Sequence, residues 1–142
     1  FENRAIADED FRDDTVDAGE IGAGHSVTAL YEFKLHPDAS GQVATVYLRW
    51  EDPDTHEITE LNQEISSKAL AESFSAANPY FQWDVIVAEY AEILRGSYWA
   101  EGSSLAGVLE EAQRVGGILS EDPDVSEFVE LVKRAAQITR AE

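Results

Sequence analysis

The chain has 142 residues, of which 29 are acidic and 10 basic, so that its formal net charge is −19. This charge argues against nucleic acid or an anionic membrane surface as a partner, because both attract basic residues and repel acidic ones. The absence of Cys excludes disulfides, thiolate metal sites and a cysteine nucleophile.

The composition predicts one folded domain over residues 1–142, because 44% hydrophobic residues suffice for a buried core. The sequence starts at Phe1 and contains no Met, which predicts a piece of a longer protein or a processed one. No apolar run approaches the ~20 residues that a membrane-spanning helix needs, and no signal peptide is visible.

Residues 1–24 are predicted to be an irregular acidic segment. Eight acids lie in the first 20 residues, and the isolated apolar residues fit neither a helical nor a strand period. Gly19, Gly22 and Gly24 are spaced G-x-x-G-x-G and precede a strand pattern, whereas a dinucleotide fingerprint reads G-x-G-x-x-G and follows a strand. We therefore interpret these glycines as a sharp bend before the next strand.

Residues 25–65 are predicted to form about three antiparallel strands. Apolar and polar residues alternate over 25–35 and again over 43–50, and the turn-forming sequence HPDASGQ lies between the two runs. These runs predict a hairpin. Residues 57–65 partly fit a helical period, but their β-branched residues and the tight turn before them favour a third strand.

Residues 66–77 are interpreted as a polar connector, and residues 78–140 predict three helices. Each helix follows residues suited to its first turn, namely Asn78 and Pro79, Ser103 or Ser104, and Asp122 and Pro123. The side chains expected in the core include Phe81, Val85, Ala88, Phe128 and Val132. The predicted fold class is α+β, a small antiparallel sheet followed by a three-helix C-terminal half.

Catalytic motifs are missing from the sequence. The histidines are His25, His36 and His56, without an H-E-x-x-H motif, although three histidines converging on zinc would leave no such signature. There is no G-x-S-x-G nucleophile elbow and no phosphate-binding loop. We therefore expect no enzymatic activity and no cofactor.

A calcium site in the acidic segment is the alternative. Carboxylates in DEDFRDDTVD supply the hard oxygen ligands that Ca²⁺ prefers, but the ligand order of an EF-hand is absent. In so acidic a chain, such runs are usually solvated loops. The weak candidate ligands are Asp10, Asp13, Asp14, Asp17 and Glu20, and Glu20 and His25 are the residues of interest if the glycine-rich stretch forms a site.

Four stretches, ENRAI, DFRDDTVDAGEIGAGHSVTALYEF, VAEYAEILRGS and EFVELVKRA, carry a family resemblance. The chain resembles the C-terminal domain of unknown function that follows a von Willebrand factor type A module in bacterial cell-envelope proteins. The resemblance implies a type A module upstream and an extracytoplasmic location, often through a lipoprotein signal. The D-x-S-x-S metal motif of that module is not present here, since Phe128 stands where its second Ser belongs.

The resemblance carries no catalytic or binding residues onto this chain. It implies a non-catalytic accessory domain that braces the type A module and binds other envelope proteins. The expected partners are therefore proteins, with no nucleic acid and no insertion of this piece into a membrane.

Overall fold

The computed structural model describes residues 7–16 and 19–139. In order along the chain lie strands β1 (Gln42–Glu51) and β2 (Ile58–Ser66) and helices α1 (Pro79–Leu94), α2 (Leu105–Ile118) and α3 (Pro123–Thr139). Short 3₁₀ turns occupy Asp8–Asp10, Ser67–Ala69, Phe74–Ala76 and Tyr98–Ala100. The arrangement is α+β, as predicted, with the strands before the helices.

The sheet has two strands in the described part of the chain, fewer than the three predicted. Residues 25–35 pair with no strand, so the predicted hairpin between 25–35 and 43–50 is wrong. The hairpin forms instead between the second and third predicted strands, which are antiparallel neighbours. Alternation shows that a segment is suited to a sheet, but it does not identify the strand with which that segment pairs.

The turn between β1 and β2 explains this choice of partner. The carboxylate of Asp52 accepts hydrogen bonds from the backbone N–H groups of Asp54 and Thr55, at 2.9 and 2.8 Å. The backbone N–H of Asp52 also donates to the carbonyl of Glu57 at 2.9 Å, and His56 closes the turn with φ 57°. Side-chain and backbone bonds together hold this connection, and Asp favours such turns because its side chain can bond nearby amides.

The helices form the core of the described chain, and α2 packs against both α1 and α3. Each helix buries residues that recur at intervals of three, four or seven, which is the spacing of one helix face. The buried apolar residues are Ile86, Tyr90, Val108, Ala112, Val115, Val125, Val132 and Ala136. In the described residues, no helix combines the length and the apolar character that a bilayer crossing requires.

The predicted helix starts are confirmed by their caps. The side chain of Asn78 accepts from the N–H of Tyr80, and the side chain of Ser104 accepts from the N–H of Gly107. The predicted set of core side chains is only partly right. On α3, Val132 is buried and Phe128 is half-buried. On α1, Val85 and Ala88 are half-buried, but Phe81 is 49% exposed. Since α1 is apolar around most of its circumference, periodicity alone does not identify its inner face.

A buried amide connects the start of α1 with α2. Gln82 is 1% exposed, and its Nε2 donates to the carbonyl of Ala77 at 2.7 Å. Its Oε1 accepts from Nη2 of Arg114 at 2.6 Å, and Arg114 also pairs with Glu111 on the same helix. Because a buried polar group is costly unless it is bonded, these contacts fix how α1 lies on α2.

Two adjacent glycines of α2 have different surroundings. A Cβ added at Gly116 would lie 3.1 Å from Cγ2 of Val129 and 3.4 Å from Cγ1 of Val125, both on α3. A Cβ added at Gly117 would meet nothing within 4 Å. Close packing of α2 on α3 therefore depends on the missing side chain at Gly116.

We predict opposite effects of alanine at these two positions. Gly117→Ala should raise the free energy of unfolding by about 0.5–1 kcal/mol, because alanine reduces the freedom of the unfolded chain and favours the helix. Gly116→Ala should lower it, because the two valines of α3 must move. Urea denaturation followed by circular dichroism measures both. Equal gains would contradict the close contact between α2 and α3.

Candidate functional site

The hairpin has one face that is apolar and uncovered. Residues of β1 and β2 that lie opposite each other share a face, and one such set carries no charged side chain. We call this set the apolar hairpin face; it consists of Ala44, Val46, Leu48, Trp50, Thr59, Leu61, Gln63 and Ile65. Its four largest exposed apolar side chains, Val46, Leu48, Trp50 and Leu61, remain 43–54% exposed.

The opposite face of the hairpin is polar, and residues 8–16 contact it. The Arg12 guanidinium donates two hydrogen bonds to Glu60, Nη2 to Oε1 at 2.7 Å and Nε to Oε2 at 3.0 Å. Asp14 pairs with Arg49, and the ring of Phe11 lies edge-on to Tyr47 at 6.5 Å between centroids. The acidic segment therefore lies against the polar side of the hairpin and leaves the apolar side open.

Electrostatic effects support this contact. The hydrogen bond from Arg12 holds the pKa of the Glu60 carboxyl below its ordinary value of 4.5, and the same bond raises the pKa of Arg12. The Arg12 guanidinium also lies 5.9 Å from the ring centres of both Phe11 and Tyr47. Arg12 thus makes a bidentate ion pair and two cation–π contacts. Together these interactions are stronger than an isolated surface ion pair.

The candidate calcium ligands do not converge where the structure describes them. Asp13 accepts hydrogen bonds from the Thr15 side chain and backbone at 2.7 and 2.9 Å, and the side-chain bond lowers the pKa of Asp13. Asp14 is paired with Arg49. Asp10 belongs to a 3₁₀ turn, Glu20 is exposed, and Asp17 lies outside the described residues.

No group of three or more His, Asp or Glu side chains suited to a metal ion occurs within residues 7–16 and 19–139. The calcium hypothesis therefore stays a prediction from the sequence.

The glycine-rich stretch forms a local turn around His25. The N–H of His25 donates to the carbonyl of Gly22 at 3.0 Å, and Gly24 takes φ 80°. The imidazole lies so close to Gly22 that an added Cβ would be 2.7 Å from its Nδ1. The glycines thus permit a bend, as the sequence suggests, but this bend precedes a segment without regular secondary structure and not a paired strand.

Sequence reasoning missed the apolar hairpin face as a surface. Apolar alternation is the ordinary mark of a strand with one buried side, so the pattern favours a covered face. The lack of charge on this face was visible in the sequence. That signal indicates a covered face, but it does not distinguish a cover within the chain from one outside it.

We predict that acid weakens the contact between residues 8–16 and the hairpin. Since the pKa of Glu60 is lower in the folded state than its ordinary value, the ion pair stabilises the folded form above pH 4.5. This contribution is lost as the pH falls through the lowered pKa. The Tyr47 ring resonances, followed by NMR from about pH 6 to about pH 3, should report the release.

Two variants make the test specific. Glu60→Gln should abolish the pH-dependent change in the Tyr47 resonances, whereas Glu64→Gln, a neutralisation on the same face, should preserve it. An unchanged transition in Glu60→Gln would show that another group controls the contact.

Comparison with known proteins relates the chain to a bacterial protein that is described as uncharacterized. It is 28% identical to the uncharacterized protein YfbK of Escherichia coli (strain K12), over an alignment of 160 residues that covers 98% of this chain. The alignment covers 26% of the relative, so the chain spans about a quarter of that protein's length. No solved structure matches.

A family model described as the C-terminal region of uncharacterized protein YfbK matches in two overlapping parts, residues 1–41 and 34–138. These parts include nearly the whole chain, and they agree with the resemblance to a C-terminal domain of unknown function. The chain therefore belongs to the family of YfbK C-terminal domains.

Proposed function

We propose that this chain is a non-catalytic accessory domain that binds another part of a longer bacterial envelope protein. The observation that carries the proposal is the apolar hairpin face, which is uncharged and uncovered in a chain of net charge −19. The proposed partner precedes this domain in the same polypeptide and is a von Willebrand factor type A module.

An uncovered apolar sheet face is a strong reason to expect a partner. Sheets that alternate apolar and polar residues bury their apolar side against a second layer, and a two-stranded hairpin alone is marginal in water. Fully burying one large apolar side chain contributes about 1.5–3 kcal/mol. Covering Val46, Leu48, Trp50 and Leu61, each about half exposed, is therefore a sizeable driving force for association.

The family relationship favours a partner in the same polypeptide. The matching region is the C-terminal region of YfbK by its description, and this chain corresponds to 26% of that relative. A relative of this kind has most of its residues ahead of the matched region. The resemblance to domains that follow a type A module supplies the proposed identity of the partner and an extracytoplasmic location.

The polar contacts of the described side chains support a role without catalysis. His56 pairs with Glu51 at an exposed turn. Ser103 donates to Glu89 at 2.6 Å, a bond that joins α1 to the segment before α2. Neither pair has the nucleophile, base and orienting group that covalent catalysis requires.

We predict that a charge on the apolar hairpin face prevents association with the preceding region. A specific protease site placed ahead of residue 1 in the full-length protein would separate the two parts covalently. After cleavage, the parts should still elute together in gel filtration. Leu48→Asp should make them separate, because a carboxylate cannot enter an apolar interface without a large desolvation cost.

Asn62→Asp is the matched control, because it adds the same charge to the polar face of the same hairpin. This variant should stay associated. Separation of the unmodified parts after cleavage would contradict the proposed function. Equal behaviour of the two variants would show that the apolar face is not the contact.

We also predict that calcium does not stabilise the chain. Asp13 and Asp14 already bind Thr15 and Arg49, so a cation would have to displace these partners. Millimolar Ca²⁺ should leave the melting temperature, measured by differential scanning fluorimetry, unchanged. A rise that disappears in Asp13→Asn/Asp17→Asn would instead favour the calcium-stabilised alternative.

A further inference from the structure

Residues 26–35 have the chemistry of a β-strand without a strand partner. None of their backbone N–H groups donates a hydrogen bond to an atom of the described residues. The segment lies between the bend at Gly22 and a turn in which the N–H of Ala39 donates to the carbonyl of His36. A run of unpaired backbone donors and acceptors is the usual property of an unpaired sheet edge.

The side chains of this segment alternate as they do in a half-buried strand. Val27, Ala29, Tyr31, Phe33 and Leu35 share one side, and the other side is mainly polar. The apolar side is uncovered: Val27 is 68% exposed, Tyr31 79% and Phe33 52%. A ten-residue strand spans ~33 Å, enough to cross a whole sheet edge. The segment therefore has unpaired backbone groups and an exposed apolar pattern that suit a strand.

The nearest open edge in the chain is that of β1, since β2 occupies only one side of β1. The six residues 36–41 would suffice for a hairpin connection. Residues 26–35 nevertheless do not pair with this edge. The carbonyl of Gly41 accepts from the N–H of Ser67 at 2.7 Å, so the start of β1 is held beside the end of β2.

We propose that residues 26–35 form a β-strand that pairs, by backbone hydrogen bonds, with a sheet edge in the region preceding this domain. This inference rests on the proposed function and names the form of the contact. Strand addition draws its affinity from main-chain bonds and its specificity from alternate side chains, and this segment offers both.

The position of the segment favours the preceding region over a second copy of the chain. The relative YfbK has about three quarters of its length outside the matched C-terminal region, and residues 26–35 lie close to that junction. Two copies would each bring a net charge of −19, which opposes their close approach.

Hydrogen–deuterium exchange on the full-length protein tests the pairing. In the 142-residue chain, the amides of 26–35 should exchange as fast as those of an unstructured peptide. In the full-length protein they should exchange at least roughly 100-fold more slowly, because a paired amide exchanges only when the strand opens. Equal, fast exchange in both proteins would overturn the proposal.

Proline variants separate strand pairing from simple burial. Adjacent amides of a strand point to opposite edges, so Thr28→Pro and Ala29→Pro each remove one donor from a different edge. In the full-length protein, at least one of them should remove the protection of the neighbouring amides. Thr28→Ala and Ala29→Ser, which keep the N–H groups, should not. Since residues 26–35 are exposed and unbonded, the helical circular dichroism should stay unchanged in all four variants.

The remaining outcomes overturn the proposal in distinguishable ways. Protection in the 142-residue chain at every concentration would mean pairing with its own β1, and protection that grows with concentration would mean pairing with a second copy. Protection in the full-length protein that both proline variants retain would mean burial without strand pairing. If the cleaved parts stay together while 26–35 exchange rapidly, this inference fails and the proposed function stands.

Discussion

An amphipathic hairpin must cover its apolar face, and a two-stranded one has no second layer of its own with which to do so. Residues 8–16 contact the hairpin, but they lie against its polar face and leave its apolar face exposed. Arg12 and Asp14 are drawn to Glu60 and Arg49, because charged groups pair best on the polar face. The polar face of the hairpin is therefore in contact with residues 8–16, and its apolar face is exposed. We propose a partner because this apolar face has no cover among the described residues.

The helical half has the opposite character. Its core is completed within the described residues, since α2 packs against α1 and α3 and the ring of Phe128 lies edge-on to both Trp83 and Tyr90. The buried amide of Gln82 is fully bonded, and no buried side-chain polar atom of the described residues lacks a partner. We interpret the helices as a unit whose core needs no partner, in contrast to the hairpin.

The parts of the fold that depend on local chemistry could be predicted from the sequence. Asn78 and Ser104 cap helices where expected, because a side-chain oxygen near the first amides is a property of neighbouring residues. The parts that depend on distant partners could not. Residues 25–35 alternate as well as 43–50 do, yet within the described residues only the latter pair with another strand. Likewise the apolar faces of α1 gave no indication of which side meets α2, so Phe81 was placed inward although it is exposed.

Ion pairs have a colloidal consequence in this chain. Among the described residues, five basic side chains are each bound to a carboxylate and so neutralised locally: Arg12, Arg49, Arg95, Arg114 and Lys133. The remaining carboxylates surround each molecule with a repulsive field of long range at low ionic strength. That field keeps the open apolar surfaces of neighbouring molecules apart. Concentrated salt or a pH near the isoelectric point removes it, and these surfaces then become the sites at which precipitation of the isolated domain starts.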